Sequence, residues 1–327
     1  MLDLTPQIAQ SAADGLLYGA IYALAALGLS LIFSVMGVLN LSHGDFIMLG
    51  GFVGFYFAGA LSVNKNGPLA LLGIFLSAFV VIAAFGSAYE FALIRPILKR
   101  PSGDVLISSI LLTVGTSFLI ENIGYRYIPK YIPFQLTVFS IPINVSQLTL
   151  SYGGVYMDGV KVLGLVIIAC ATALLYVFSR RTYLGKAMRA ITQNKESSLL
   201  MGVNLQKISL LTFALGSGFG ALAGVIIAMT NSMDPGFGLP FTIALLSVMV
   251  LGGTKSYWGP LVGGLIIGFV QIFVQAPFLN PFTIPITNIE ITNLEYWAPA
   301  VSIVVLIVVL MVKPSGLAGE RKGTSKF

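Results

Sequence analysis

The stretch NLSHGDFIMLGG, residues 40–51, gathers side chains of unlike chemistry in an otherwise apolar setting. Within six residues Asn40, Ser42, His43 and Asp45 can accept, donate or carry a proton, and Gly44 lets another backbone come close. Two readings fit these residues. In one, Asn40 and Ser42 cap the helix that follows, and Asp45 sits in its first turn, where the helix dipole favours negative charge. In the other, Asn40, His43, Gly44 and Asp45 line the inner end of a path or form a gate. His43 is the only histidine and Cys170 the only cysteine. A histidine metal site, a cysteine cluster and a disulfide are all ruled out on that arithmetic, and no cofactor is expected.

Other groups could drive chemistry, and their positions limit which. Gradient coupling across a membrane uses ionisable groups deep in a span. Glu90 and Glu121 lie near opposite ends of their apolar runs, Asp14 near the outer end of the first, and Asp45 with His43 near the inner end of the second. None falls at a centre, so coupling to an ion gradient is disfavoured. A phosphate-cradling loop needs GxxxxGK followed by Ser or Thr. Here Gly185-Lys186 is followed by Ala187, and Gly253-Thr254-Lys255-Ser256 lacks the spacing. The chain is therefore expected not to hydrolyse ATP itself.

These groups are carried by an oily chain. At 9% charged residues, against roughly a quarter in soluble domains, its 327 residues could not present a folded surface to water. Lipid admits helices or closed barrels, and the near-continuous apolar runs lack the alternation of barrel strands. Residues 1–15 lack the basic start of a cleavable leader, so the first apolar run is expected to stay in the membrane. Spans are expected near 13–35, 42–63, 68–93, 105–122, 162–179, 208–230, 239–251, 260–276 and 296–312, the seventh short enough to be broken or re-entrant. With the N-terminus outside, fourteen of the eighteen Lys and Arg fall on inner segments, which sets the orientation. The excess positive charge is thus read as a membrane signature and not as a nucleic-acid surface. The expected fold is an all-α polytopic membrane protein of about nine transmembrane helices (eight to ten), N-out and C-in, with a small strand-containing extracytoplasmic insert over 123–161. A second polar outer stretch, 277–295, reads first as a plain connector, and together with the insert as a rim on which a soluble partner could dock.

Glycines four apart recur at Gly15/Gly19, Gly50/Gly54, Gly216/Gly220/Gly224 and Gly264/Gly268. Such spacing makes flat helix faces, and helix packing is the expected role. On the inner side YLGKAMRAITQNKESSLLMGVN, residues 183–204, interrupts the apolar runs. It divides into a helix over 185–191, a break at 192–194, and a second helix over 195–201 capped by Asn194 and ended by Gly202. An ordinary basic loop is one reading. A docking surface is the other, since helix connectors are usually about two to eight residues.

Several of these segments resemble one family. ESSLLMG at 196–202 is similar to the E-A-A-x-x-x-G coupling-loop signature of ABC importer permeases, with Ser197 and Ser198 where alanines are usual. GKAMRA…NKESSLLMGVN, GAIYALAALGLSLIFSVMGVLNLSHGDFIMLGGFVG, MVLGGTKSYWGPLVGGLIIG and VVLMVKPSGLAG resemble segments of the permeases of branched-chain amino acid (Liv-type) uptake systems. The resemblance covers most of the chain outside 123–161, and Asn194 stands where an aspartate is common. It implies one permease domain over 1–327, a second homologous permease, two cytoplasmic P-loop ATPase subunits and an extracytoplasmic solute-binding protein. It implies that Gly185, Arg189, Glu196 and Gly202 belong to coupling helices at 183–204 that meet an ATPase groove. The implied location is a bacterial or archaeal cytoplasmic membrane, and the implied solutes are Leu, Ile, Val or related small molecules. A stand-alone carrier or channel for small polar solutes is the alternative class, and a non-transporting scaffold a third.

Overall fold

The computed structural model describes residues 5–60, 63–98, 105–127, 150–152, 155–157, 159–231, 233–253, 258–276, 282–283, 290–291, 298–313 and 316–317. Helices dominate them. In chain order they are α1 (Thr5–Met36), α2 (His43–Ala60), α3 (Val63–Tyr89), a π-helical turn (Glu90–Ile94), α4 (Arg95–Leu98) and α5 (Val105–Tyr127). Then come α6 (Gly159–Arg181), α7 (Tyr183–Gln193), α8 (Lys195–Leu200), α9 (Leu205–Thr230), a 3-10 turn (Pro235–Phe237), α10 (Gly238–Gly252), α11 (Gly259–Gln275) and α12 (Ala298–Val312). Two short antiparallel pairs are present: β1 (Leu150–Tyr152) with β2 (Val155–Met157), Ser151 opposite Tyr156, and β3 (Phe282–Thr283) with β4 (Glu290–Ile291). Among the described residues six helical stretches are long and apolar enough to cross a membrane alone, namely 6–36, 71–98, 105–127, 161–181, 205–230 and 235–252. Residues 123–127, expected in the outer insert, continue α5 as helix instead, Ile123, Tyr125 and Tyr127 prolonging its apolar surface past Gly124. Much of the rest of the expected insert, and Lys255, lie outside the described residues.

The described residues cluster into two compact units. The larger falls within Leu27–Leu148 and Asp158–Ile243. Its core is the crossing of α2, α3 and α9, where small residues replace side chains at the points of closest approach. A Cβ on Gly224 would strike the Ile47 carbonyl, and one on Gly216 would lie 2.7 Å from the Gly28 carbonyl oxygen. At Gly220 the nearest atom would be Ile47 Cγ1 at 3.1 Å. Phe46 fills the remaining space, edge-on to Phe85, Tyr89 and Phe213 at centroid distances of 5.1–5.9 Å. At the end of α3, Pro96 has no N–H to give the helix. The chain widens there to a π-turn in which the Arg95 N–H bonds the Glu90 carbonyl. The buried Glu90 carboxylate is met by Arg95 at 3.0 Å and by the Ser209 hydroxyl at 2.7 Å, which ties the turn to α9.

The smaller unit falls within Met1–Ala26, Thr149–Met157 and Ala244–Phe327. Here α1 and α11 touch through glycines: a Cβ on Gly268 would strike Gly19, and one on Gly264 would strike Ala23. Such backbone approach is a common way for helices to associate in lipid, where apolar surfaces have no water to escape. Tyr22 donates to Gln271 Oε1 at 2.6 Å, and Gln271 Nε2 donates to the Ser302 hydroxyl at 2.9 Å. This buried chain links α1, α11 and α12. The Gln10 amide grips the β2 backbone at both ends, accepting from the Tyr156 N–H at 2.7 Å and donating to its carbonyl at 3.0 Å.

Candidate functional site

Asp45 lies in the first turn of α2, as expected, and the residues before it are held by other helices. α1 ends at Met36, and six residues of irregular chain precede α2. Alternate residues of that segment are buried, with Val38, Asn40 and Ser42 at 0% exposure, while Gly37 is exposed. A Cβ on Gly220 would lie 3.4 Å from His43 Nε2. Gly220 is the sixteenth residue of α9, about 22 Å from its start in a helix about 39 Å long. His43 and Asp45 lie in the first turn of α2, at the end of their own helix as expected, and this end packs level with the middle of α9.

The irregular segment meets its hydrogen-bonding needs from neighbouring helices. Thr113 on α5 accepts from the Leu41 N–H at 3.1 Å, and the Asn40 side chain accepts from the Ser42 N–H at 3.2 Å and its hydroxyl at 2.8 Å. The Ser42 hydroxyl also reaches Tyr89 at 3.2 Å, and Tyr89 shares a 2.6 Å contact with Thr116. Across the site Thr242 on α10 accepts from the Gly44 N–H at 2.7 Å and donates to the Gly238 carbonyl at 3.0 Å. Gly44 is required there, because a Cβ would run into the Gly238 carbonyl. Asp45 lies against Gly238, with Ser117 beside its carboxylate and the charge of Glu121 acting on it from one turn further along α5. Asn40, Ser42, His43 and Asp45 are each exposed by 1% or less.

Sequence reasoning named Asn40, His43, Gly44 and Asp45 but missed the partners that surround them. Ser109, Thr113 and Ser117 are buried on one face of α5 at a spacing of four. Together with Thr116, Tyr89 and Thr242 they make the site polar on several sides. The signal was present as a Ser/Thr stripe in an apolar run, which in lipid seeks another helix.

The second candidate region is the α7–α8 pair. Thr182 accepts from the Gly185 N–H at 3.0 Å to start α7, and Asn194 accepts from the Ser197 N–H at 3.0 Å to start α8. Gly202, at φ +83°, ends α8 in a conformation that suits glycine. α7 buries Gly185, Ala187, Met188 and Ile191 and exposes Lys186 and Arg189. Gly185 is wedged at the α6–α7 corner, where a Cβ would lie 2.5 Å from Ser179 Cα, so it shapes the pair and does not face outward. Arg189, Glu196 and Gly202 are exposed. Ser198 is buried, and its hydroxyl returns to the Asn194 carbonyl at 2.7 Å, so a serine serves as a small residue at this position. What the motif did not reveal is the apolar tip: Leu200 and Met201 are 89% and 85% exposed, beside half-exposed Leu199.

The comparisons with known proteins agree with this arrangement of apolar helices. The chain is 28% identical over 317 residues to the high-affinity branched-chain amino acid transport system permease protein BraD of Pseudomonas aeruginosa, covering 95% of each. It is 28% identical over 322 residues to the corresponding permease protein LivH of Escherichia coli K12, covering 94% of each. The ribose import permease protein RbsC of Haemophilus influenzae is 27% identical over 263 residues, 77% of this chain and 73% of that one. A family profile described as "Branched-chain amino acid transport system / permease component" matches residues 11–310. The chain belongs to that family of ABC transporter permeases.

Proposed function

We propose that the chain is the transmembrane permease subunit of an ATP-driven importer for branched-chain amino acids or related small amino-acid-like solutes. The relatives named for branched-chain amino acid transport align over 94–95% of their length, which supports that solute class. The importer reading rests on one observation above others, the capped α7–α8 pair between the apolar helices α6 and α9, tipped with exposed Leu200 and Met201. An apolar tip on a segment that also exposes Lys186, Arg189, Lys195 and Lys207 is costly to leave in water and well suited to a protein groove. In this reading the tip docks on a cytoplasmic P-loop ATPase, Arg189 and Glu196 contact it at the rim, and Gly185 and Gly202 hold the register. A second homologous permease, a second ATPase and an extracytoplasmic solute-binding protein complete the assembly. The chain crosses a bacterial or archaeal cytoplasmic membrane about nine times, N-out and C-in, as the distribution of Lys and Arg favours. Closure of the ATPase pair then reaches α6 and α9 as a tilt of whole helices.

The site at Asn40, His43, Gly44 and Asp45 lines the path of the same subunit. A buried carboxylate, Asp45, among membrane-crossing helices also favours a second reading, a carrier driven by an ion gradient. Glu196→Lys combined with Gly202→Pro separates the two. Proline cannot adopt the positive φ of Gly202 and lacks the N–H that bonds the Leu199 carbonyl. Uptake in vesicles and retention of the copurifying ATPase should both be lost. Uptake that persists in this variant without ATP, and collapses with a proton uncoupler, identifies the carrier.

A further inference from the structure

We propose that Asp45, Ser117 and Asn40 form a binding site inside a single permease for the primary ammonium of the transported solute, with Asp45 as the anchoring charge. The observation is a set of polar atoms left without partners where burial makes that costly. Asp45 Oδ2, Ser117 Oγ and Asn40 Nδ2 are fully buried and have no hydrogen-bond partner, although their residues are 0–1% exposed. Nearly all buried polar atoms in folded proteins are paired, so two orphans side by side, Asp45 Oδ2 and Ser117 Oγ, call for a ligand, and Asn40 Nδ2 is a third orphan on the turn that leads into the same helix. Ser117 lies beside the Asp45 carboxylate but outside hydrogen-bond geometry, so the two oxygens face a common space without satisfying each other.

The chemistry of the ligand follows from that of the orphans. A carboxylate oxygen only accepts and a hydroxyl can accept, and both suit an N–H-rich cation. Glu121 places a second carboxyl one turn along α5 from Ser117. The surroundings therefore favour a compact monovalent cation over an anion. The Asn40 amide supplies a donor, on the same buried turn as Ser42, to meet an acceptor group carried by the same solute. A primary ammonium next to a carboxylate has both features. The groups are sealed in this conformation, and the elements that close them are α5 and the Pro235–Phe237 turn that leads into α10. Gly238 has no side chain, so this lid sits directly on Asp45. The site opens when either element moves. This inference rests on reading the chain as an amino-acid importer permease.

The test places a thiol at the site. In a Cys170→Ala background, Ser117→Cys in the assembled importer is reacted with a cationic (ethylammonium) and an anionic (ethylsulfonate) methanethiosulfonate of similar size, with and without ATP. The cationic reagent should react at least about tenfold faster. That preference should vanish when Asp45→Asn is added. L-leucine at millimolar concentration should slow the reaction, whereas 4-methylpentanoate, which lacks the ammonium, should not. Equal rates for the two reagents, or no labelling in any nucleotide state, overturn the site. Slowing by sodium chloride and not by leucine makes it an inorganic-cation site and overturns the assignment to solute. Should Ser117→Cys not assemble, Thr116→Cys reports from the adjacent position on α5. Copurification of the ATPase with the same samples shows separately whether the importer reading holds.

Discussion

Truncating Leu200 and Met201 together to alanine removes the apolar tip of α8 and little else. Both side chains are almost wholly exposed, at 89% and 85%, so the permease itself should change in stability by no more than about 0.5 kcal/mol. If an ATPase groove buries them, each truncation forfeits roughly 1.5–2 kcal/mol of apolar transfer energy. The pair then weakens docking by about 3–4 kcal/mol, or roughly two to three orders of magnitude in Kd. The measurement is binding of the purified ATPase to permease in nanodiscs, with thermal unfolding of the permease alone as the companion. Loss of binding at unchanged unfolding temperature is expected. Binding within a few-fold of the parent would refute the docking role of this tip. A large fall in unfolding temperature would show instead that the tip is buried within the permease, contrary to its exposure.

Two further perturbations test the fold that holds the sites. Gly224→Leu should prevent folded protein from accumulating, because even the first carbon of the new side chain meets the Ile47 carbonyl and the Gly51 backbone nitrogen at the α2–α9 crossing. Gly59→Ala, with open space around it, should leave the yield of monodisperse detergent-solubilised protein unchanged. Arg95→Ala should lower thermal stability by about 3–5 kcal/mol, since it leaves the buried Glu90 carboxylate with only the Ser209 hydroxyl. Adding Glu90→Gln to that variant should recover much of the loss, and no recovery would mean that charge is not the cause.

The parts of this protein legible in the sequence are those governed by local chemistry or by lipid. A long apolar run must become a helix in a membrane, because no other single segment satisfies its own backbone there. Helices accordingly form at each of the nine expected apolar segments, although α1 starts eight residues before its expected start, α3 five before and α5 ends five after. Caps are equally local: Asn194 and Gly202 bound α8 through bonds that span three residues or fewer. The glycine spacing announced close helix contacts, though not which helices would touch. What only the tertiary structure decided is company. Residues 37–42 read as a turn on the inner side, and the structure ties that turn to Thr113 and Tyr89, with the start of α2 level with the middle of α9. Asp45 keeps its place in the first turn of α2 but is buried there beside Ser117, with Gly238 against it and Thr242 bonded to the neighbouring Gly44 from nearly two hundred residues away. Sequence patterns report how a segment treats its own backbone and its solvent. Which buried polar groups meet depends on how separate helices cross, and that is settled by side-chain shape over distances no local pattern spans.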